Sequence, residues 1–158
     1  MQETYIDIML QSLKKKCQVL ESIMKLNDRQ KEVLEASDGS VDEFDAIVEE
    51  KSLLIDQIEQ LDSGFDKLYM RVKEELQGNK EAYAMQIRQM QEYIRSITDK
   101  SMQVQAQEAR NKDMMTQKLV RVKKQAKQVQ VNSKATSSYY QTMTKTGYVD
   151  PQFMDNKK

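Results

Sequence analysis

Carboxylates, a single thiol and many lysines are the side chains of this sequence that could carry out chemistry. The 158 residues include no histidine, the side chain that most often serves general acid–base catalysis near neutral pH. Acidic neighbours occur at Glu49-Glu50 and Glu74-Glu75. Adjacent side chains on a helix point about 100° apart, so neither pair can converge on one substrate atom. These carboxylates therefore predict solvated helix faces and not a catalytic pair.

Ligand-binding motifs are also missing from the sequence. It contains no glycine-rich phosphate loop, no paired cysteines at metal-binding spacing and no calcium-loop pattern. Cys17 lies between Leu13 and Leu20 on an apolar stripe, and a free cysteine there behaves as a small apolar residue. We therefore expect a buried structural thiol, no enzyme activity, no metal and no cofactor.

Basic residues accumulate near the end of the chain. They form a run without any acid among residues 114–149, made of Lys118, Arg121, Lys123, Lys124, Lys127 and Lys134. Such a run permits nucleic-acid binding, but it lacks the interleaved aromatics on which bases stack. Residues 1–79 carry 18 acids and 10 bases, whereas residues 80–158 carry 7 acids and 15 bases. Because the halves can neutralise each other, we expect no nucleic-acid partner.

Apolar residues recur at helical spacing along most of the chain and predict about three long helices. The first covers residues 2–36, with Asn27 and Lys31 as polar interruptions that either set the register or mark where the seam opens. The second starts near residue 41, after a capping box that begins at Ser40, and runs to Leu76. The third begins after the break at residues 78–79 and extends to residue 131.

Glycines mark the ends and the irregularities of these helices. Gly39 is predicted to adopt the left-handed conformation beyond the first helix. Gly64 lies within the second helix, where we expect either close backbone packing or a bend. The predicted fold is all-α: an elongated, antiparallel, coiled-coil-like bundle over residues 1–131, with a C-terminal overhang and a tail.

The register of this bundle follows from the helix lengths. If short turns make neighbouring helices antiparallel, residue 42 lies opposite residues 114–118, and the acids that follow Val41 meet Lys118 and Arg121. Residues 98–113 contain few large apolar side chains, which predicts the weakest or wettest part of the bundle. Beyond residue 120 the third helix has no predicted partner within the chain.

Two groups of apolar residues are therefore predicted to bind a partner. The first continues the stripe of the third helix and consists of Leu119, Val122, Ala126 and Val129. The second lies in residues 132–158, a segment without helical periodicity that is expected to be a flexible tail. Its candidate anchors are Tyr139, Tyr140, Tyr148, Val149, Phe153 and Met154.

No apolar run approaches the ~20 residues that a membrane-spanning helix needs, so we expect no membrane insertion. The opening Met1-Gln2-Glu3 does not resemble a signal segment, and one cysteine allows no internal disulfide. A reducing cytoplasm is the expected location.

Two stretches resemble the FlgN-type flagellar export chaperones. One is Glu50-Lys51-x-x-Leu54-Ile55-x-x-Ile58-x-x-Leu61-Asp62, which follows a long amphipathic helix and an acidic, glycine-containing loop. The other is the aromatic, lysine-ended tail Tyr148-Val149-Asp150-Pro151-Gln152-Phe153-Met154-Asp155-Asn156-Lys157-Lys158.

The resemblance implies a cytoplasmic chaperone that binds the terminal helices of hook-associated (filament-junction) proteins and prevents their premature assembly. It also implies delivery of these clients to the gate of the flagellar type III export apparatus. A monomer or weak homo-oligomer is expected. Three alternatives stay open: a chaperone for the filament cap protein, a structural coiled-coil adaptor and, with less support, a helical nucleic-acid-binding protein.

Overall fold

A computed structural model describes residues 4–125, and this part of the chain folds into four α-helices. They are α1 (Tyr5–Glu35), α2 (Val41–Ser63), α3 (Phe65–Leu76) and α4 (Ala84–Gln125). The predicted all-α bundle is confirmed. The predicted second helix corresponds to α2 and α3 together, and the described part of the predicted third helix is α4.

Side-chain caps explain where the first two helices begin. The Thr4 hydroxyl accepts a hydrogen bond from the backbone N–H of Asp7, and the Ser40 hydroxyl accepts one from the N–H of Glu43. Each cap satisfies a backbone donor that has no partner within its own helix. The predicted helix start near residue 41 is therefore confirmed.

The glycines act differently from what the sequence suggests. Gly39 does not have a positive φ; among the described glycines only Gly78 does, at 76°. A Cβ on Gly39 would lie 2.3 Å from the carbonyl oxygen of Val33, so this glycine permits a close approach. A Cβ on Gly64 would meet no atom within 4 Å, which rules out close packing there and leaves the bend between α2 and α3.

The central helix is α1, which packs on each of the other three. Its pairing with α2 is antiparallel, because Arg29 contacts Glu43 near the connecting turn while Lys16 contacts Asp62 at the far end of α2. The next helix, α3, continues in the same direction as α2, and Glu75 near its end reaches the start of α1. Together α2 and α3 form one bent rod.

The returning helix α4 runs parallel to α1. The Cys17 thiol lies 3.9 Å from the carbonyl oxygen of Tyr93, and the Lys118 ammonium lies 3.1 Å from the carbonyl oxygen of Ala36. The residue numbers of the contacting pairs therefore increase together along both helices. The bundle consists of two parallel helices and one bent antiparallel rod.

The predicted register of α2 against α4 agrees with the structure, but the predicted charge pairing does not. Val41 and Phe44 line one cavity together with Met115 and Leu119, which places the start of α2 beside the expected part of α4. Lys118, however, donates to backbone carbonyl groups at the end of α1 and not to the acids of α2. The carbonyl groups at the end of α1 have no helical partners and accept the hydrogen bonds of Lys118 instead.

The core is apolar along most of its length and polar in one layer. Its buried apolar residues include Ile6, Met9, Leu13, Leu20, Ile23, Phe44, Ile47, Ile55, Ile58, Val72, Met90, Ile97 and Val104. In the stretch 98–113, where we predicted a weak or wet zone, Ser101, Glu108 and Asn111 are buried. Because these polar side chains face the interior, the core is polar in this part of the bundle.

Candidate partner-binding site

The acidic neighbours do not form a catalytic site. Glu49 and Glu50 are both exposed. Glu75 is half-buried and accepts hydrogen bonds from the backbone N–H groups of Tyr5, at 3.2 Å, and Ile6, at 3.1 Å. A carboxylate at this position satisfies free donors and complements the positive end of the helix dipole. Its role is to cap α1.

Cys17 is buried in the core as expected, with 6% of its surface exposed. Burial is the main cause that raises the pKa of the Cys17 thiol, while a hydrogen bond with Ser96 opposes this effect. Because the thiolate is the reactive form, a raised pKa and burial both disfavour reaction at this sulfur. Cys17 is a packing residue.

A buried cluster of charged and amide side chains crosses the bundle, and we call it the polar layer. It consists of Asn27, Gln30, Lys51, Glu108 and Asn111. The Lys51 ammonium donates to the Gln30 side chain at 2.8 Å and contacts the Glu108 carboxylate at 2.7 Å. Asn111 donates to the side chain of Gln30 and to the backbone carbonyl group of Asn27. The layer thus joins α1, α2 and α4.

The polar layer is sealed from solvent, which excludes it as a substrate site. Lys51 is fully buried, and this burial lowers the pKa of its ammonium group to about 8, although Glu108 acts in the opposite direction. Shifted pKa values often mark active sites, but structural ion pairs shift them as well. Since no substrate can reach Lys51, we assign the layer to the fold.

This layer was not predicted, although the sequence contains a signal of it. Lys51 lies on the same helical stripe as Phe44, Val48, Ile55 and Ile58. A charged residue at a stripe position is expected to be buried and paired. On α1, the interruption at Asn27 had two interpretations, and the structure supports the one in which it sets the register.

The described part of the predicted partner-binding stripe lines a cavity at the α1–α2 turn, which we call the α4 cavity. It measures about 190 Å³. Its apolar lining includes Val33, Leu34, Val41, Phe44, Met115, Leu119 and Val122. Leu119 and Val122 are half-buried, so the chain itself covers part of the stripe that was predicted to overhang. Beyond residue 120, where no partner within the chain was predicted, Val122 is half-buried and lines this cavity.

One lysine lines the α4 cavity, and more basic residues follow it on α4. Lys118 is part of the lining and is held by hydrogen bonds to Val33 and Ala36. Arg121, Lys123 and Lys124 are exposed on the last turns of α4. This end of the bundle therefore combines a small apolar opening with basic residues on α4 and with the exposed acids Asp38 and Asp42 at the α1–α2 turn.

The remaining predicted site residues lie outside the described residues. They are Ala126, Val129, Tyr139, Tyr140, Tyr148, Val149, Phe153 and Met154. Of the predicted partner-binding residues, the structure therefore places Leu119 and Val122, and it brings these two together in one cavity.

Residues 4–125 contain neither a metal-binding cluster nor a membrane-spanning helix. No group of three or more histidine, cysteine, aspartate or glutamate side chains there is arranged to hold a metal ion. None of the described helices combines the length and the apolar character that crossing a membrane requires.

Comparisons with known proteins identify the family. Neither the curated proteins nor the solved structures yield a match. The family model described as FlgN protein matches residues 1–146, nearly the whole chain. Its members are flagellar export chaperones, a class that is generally non-enzymatic. The chain therefore belongs to the FlgN protein family.

Proposed function

We propose that this chaperone acts in the cytoplasm on hook-associated proteins. It covers a terminal helix of the client, prevents assembly inside the cell and delivers the client to the gate of the type III export apparatus. The observation that carries this proposal is the family match over residues 1–146, together with an open apolar cavity at the end of the described part of α4.

The α4 cavity is suited to the edge of an apolar helix. Phe44 and Met115 lie in its lining, and Leu119 and Val122 leave part of their side chains uncovered. Methionine adapts to apolar surfaces of different shape, which suits a surface that accepts more than one client. Helix-in-groove binding is the mode that such a cavity favours.

Energetics limit what these two residues can do alone. Complete burial of a valine or leucine side chain contributes about 1.5–3 kcal/mol, and Leu119 and Val122 are already half-buried. Association costs about 4–15 kcal/mol, because the two partners lose translational and rotational freedom. We therefore include Ala126, Val129 and the aromatic residues of segment 132–158 in the proposed client contact.

The test replaces both described residues of the stripe by aspartate. We expect Leu119→Asp with Val122→Asp to abolish capture of a purified hook-associated protein, because two carboxylates would have to enter an apolar contact. The matched control is Val120→Asp, since Val120 is 47% exposed on the same helix and does not line the cavity. Pull-down and thermal melting are measured on both variants.

The control keeps the proposal open to refutation. If the double variant still captures the client, or if Val120→Asp abolishes capture equally, the cavity is not the client site. Selective capture of the filament cap protein would assign the other client class. Self-assembly without any client would indicate a structural adaptor.

A further inference from the structure

A second and larger apolar opening lies at the other end of the bundle, between α3 and α4; we call it the α3 groove. It measures about 700 Å³ and shares no lining residue with the α4 cavity. Met9 and Leu13 of α1 form its floor, Tyr69 and Leu76 form one wall, and Ile87 and Met90 form the other.

The groove is open because α3 is attached to α1 and not to α4. The backbone of α3 packs on α1 but hardly approaches α4. Gly64 interrupts the helix between α2 and α3, and the turn that contains Gly78 separates α3 from α4. With 12 residues, α3 is about 18 Å long, so the groove matches a partner helix of about three turns.

Charge identifies the kind of helix that would fit. The charged side chains that line the groove are Lys73 and Lys80, and no acid lines it. Within residues 4–125 neither lysine forms an ion pair with a carboxylate. Residues 132–158 contain four lysines and two aspartates. The positive charge of this segment disfavours it as the occupant.

We propose that the α3 groove binds an amphipathic helix of a partner protein whose apolar stripe is bordered by glutamate or aspartate. The stripe packs on the groove floor, and the acidic border pairs with Lys73 and Lys80. This site adds a second docking surface to the molecule. The proposal stands whether or not the α4 cavity binds a hook-associated protein.

Two synthetic helical peptides of 15 residues test the charge preference on the full chain. Both carry leucines at positions i, i+3, i+4, i+7 and i+11; one has glutamates beside this stripe and the other has lysines. Fluorescence anisotropy should show binding of the acidic peptide only, weakened by salt. Equal binding of the two peptides, or no binding of the acidic one, would overturn the proposal.

Matched charge reversals locate the contact. Lys73→Glu with Lys80→Glu should weaken binding of the acidic peptide about tenfold, because two attractions become repulsions. The control is Lys14→Glu with Lys15→Glu, which makes the same charge change at exposed positions outside the groove and should leave affinity unchanged. Leu119→Asp with Val122→Asp should also leave it unchanged, so the two proposed sites can fail independently.

A photo-crosslinker at Ile87, a half-buried residue of the groove wall, identifies the occupant directly. Illumination with the acidic peptide should crosslink the peptide to this position. A crosslink to residues 132–158 of the same chain, or to a second copy, that persists with saturating peptide would overturn the proposal. If the crosslinker itself prevents folding, the anisotropy measurements on the lysine variants still decide.

Discussion

The two halves of the bundle are held together by different interactions. In one half, α2 and the second part of α4 are fastened to α1 by the polar layer and by Lys118. In the other half, α3 and the first part of α4 contact α1 mainly through apolar side chains such as Met9 and Val72. The first half contains the small α4 cavity, whereas the second contains the wide α3 groove.

The difference shows how a thin core can be specific in one place and adaptable in another. Hydrogen bonds have directions, so Asn111 can bond to Asn27 and Gln30 in one register only. Apolar contacts have no comparable directional requirement. We therefore expect the polar layer to fix the alignment of α1 and α4, and the α3 half to adjust to a partner.

The largest expected effect comes from removing the cation of the polar layer. Lys51→Met leaves the Glu108 carboxylate buried without its ammonium partner, and such a loss costs about 3–5 kcal/mol of unfolding free energy. Adding Glu108→Leu should recover most of that loss, because an apolar pair of similar size avoids the unpaired charge. Urea unfolding of both variants measures this; failure of the second change to restore stability would argue against an electrostatic origin.

The same ion pair predicts how stability depends on pH. Lys51 has a pKa of about 8 in the folded protein, below the ordinary 10.5. Between these values the unfolded chain binds more protons, so the Lys51 contribution to stability rises as the pH rises. The total change is at most about 3 kcal/mol. The variant with Lys51→Met and Glu108→Leu is the reference, and equal pH slopes in the two proteins would contradict the prediction.

A smaller loss is expected at the turn of the polar half. Gly39→Ala places a Cβ against the Val33 carbonyl oxygen, at 2.3 Å in the present backbone, and overpacking of this kind costs about 1–3 kcal/mol. The Lys118 ammonium, which binds the same carbonyl group, would also have to move. Thermal melting measures the effect. An unchanged melting temperature would show that the turn can relax.

The smallest effect is a gain in the apolar half. Gly64→Ala adds a methyl group into open space, at a backbone conformation with φ −91° and ψ −4° that alanine adopts readily. We expect stabilisation of about 0.4–1 kcal/mol, because alanine reduces the freedom of the unfolded chain. Melting of this variant beside Gly39→Ala tests whether the two glycines differ. A loss of stability would mean that the bend needs glycine.

Helix positions could be predicted because the signals that set them are local. The Ser40 capping box and the periodic stripe of α2 lie within a few turns of the boundary that they define, and the structure begins α2 at Val41. The antiparallel register of α2 and α4 was predicted from the helix lengths. The structure agrees with it, since Phe44 and Met115 line one cavity.

The pairing of α1 could not be predicted in the same way. The apolar stripe of α1 could pack mainly on α2 or mainly on α4. Apolar periodicity alone does not distinguish between these two arrangements. The α3 groove was missed for a related reason: Tyr69, Leu76 and Ile87 have the spacing of ordinary core residues. Only the positions of three separate helices show that these side chains leave a space between them.

The parallel arrangement of α1 and α4 also sets an order of events during synthesis. Asn27 and Asn111, which bond across these helices, are 84 residues apart in the chain. At about 5–20 residues per second, α1 leaves the ribosome roughly 4–17 s before its partner segment of α4. In that interval α2 and α3 can fold back on α1, whereas the side of α1 that faces α4 stays exposed. The polar layer can close only after residue 111 has emerged, and nascent chains that end before this residue would display an uncovered apolar helix.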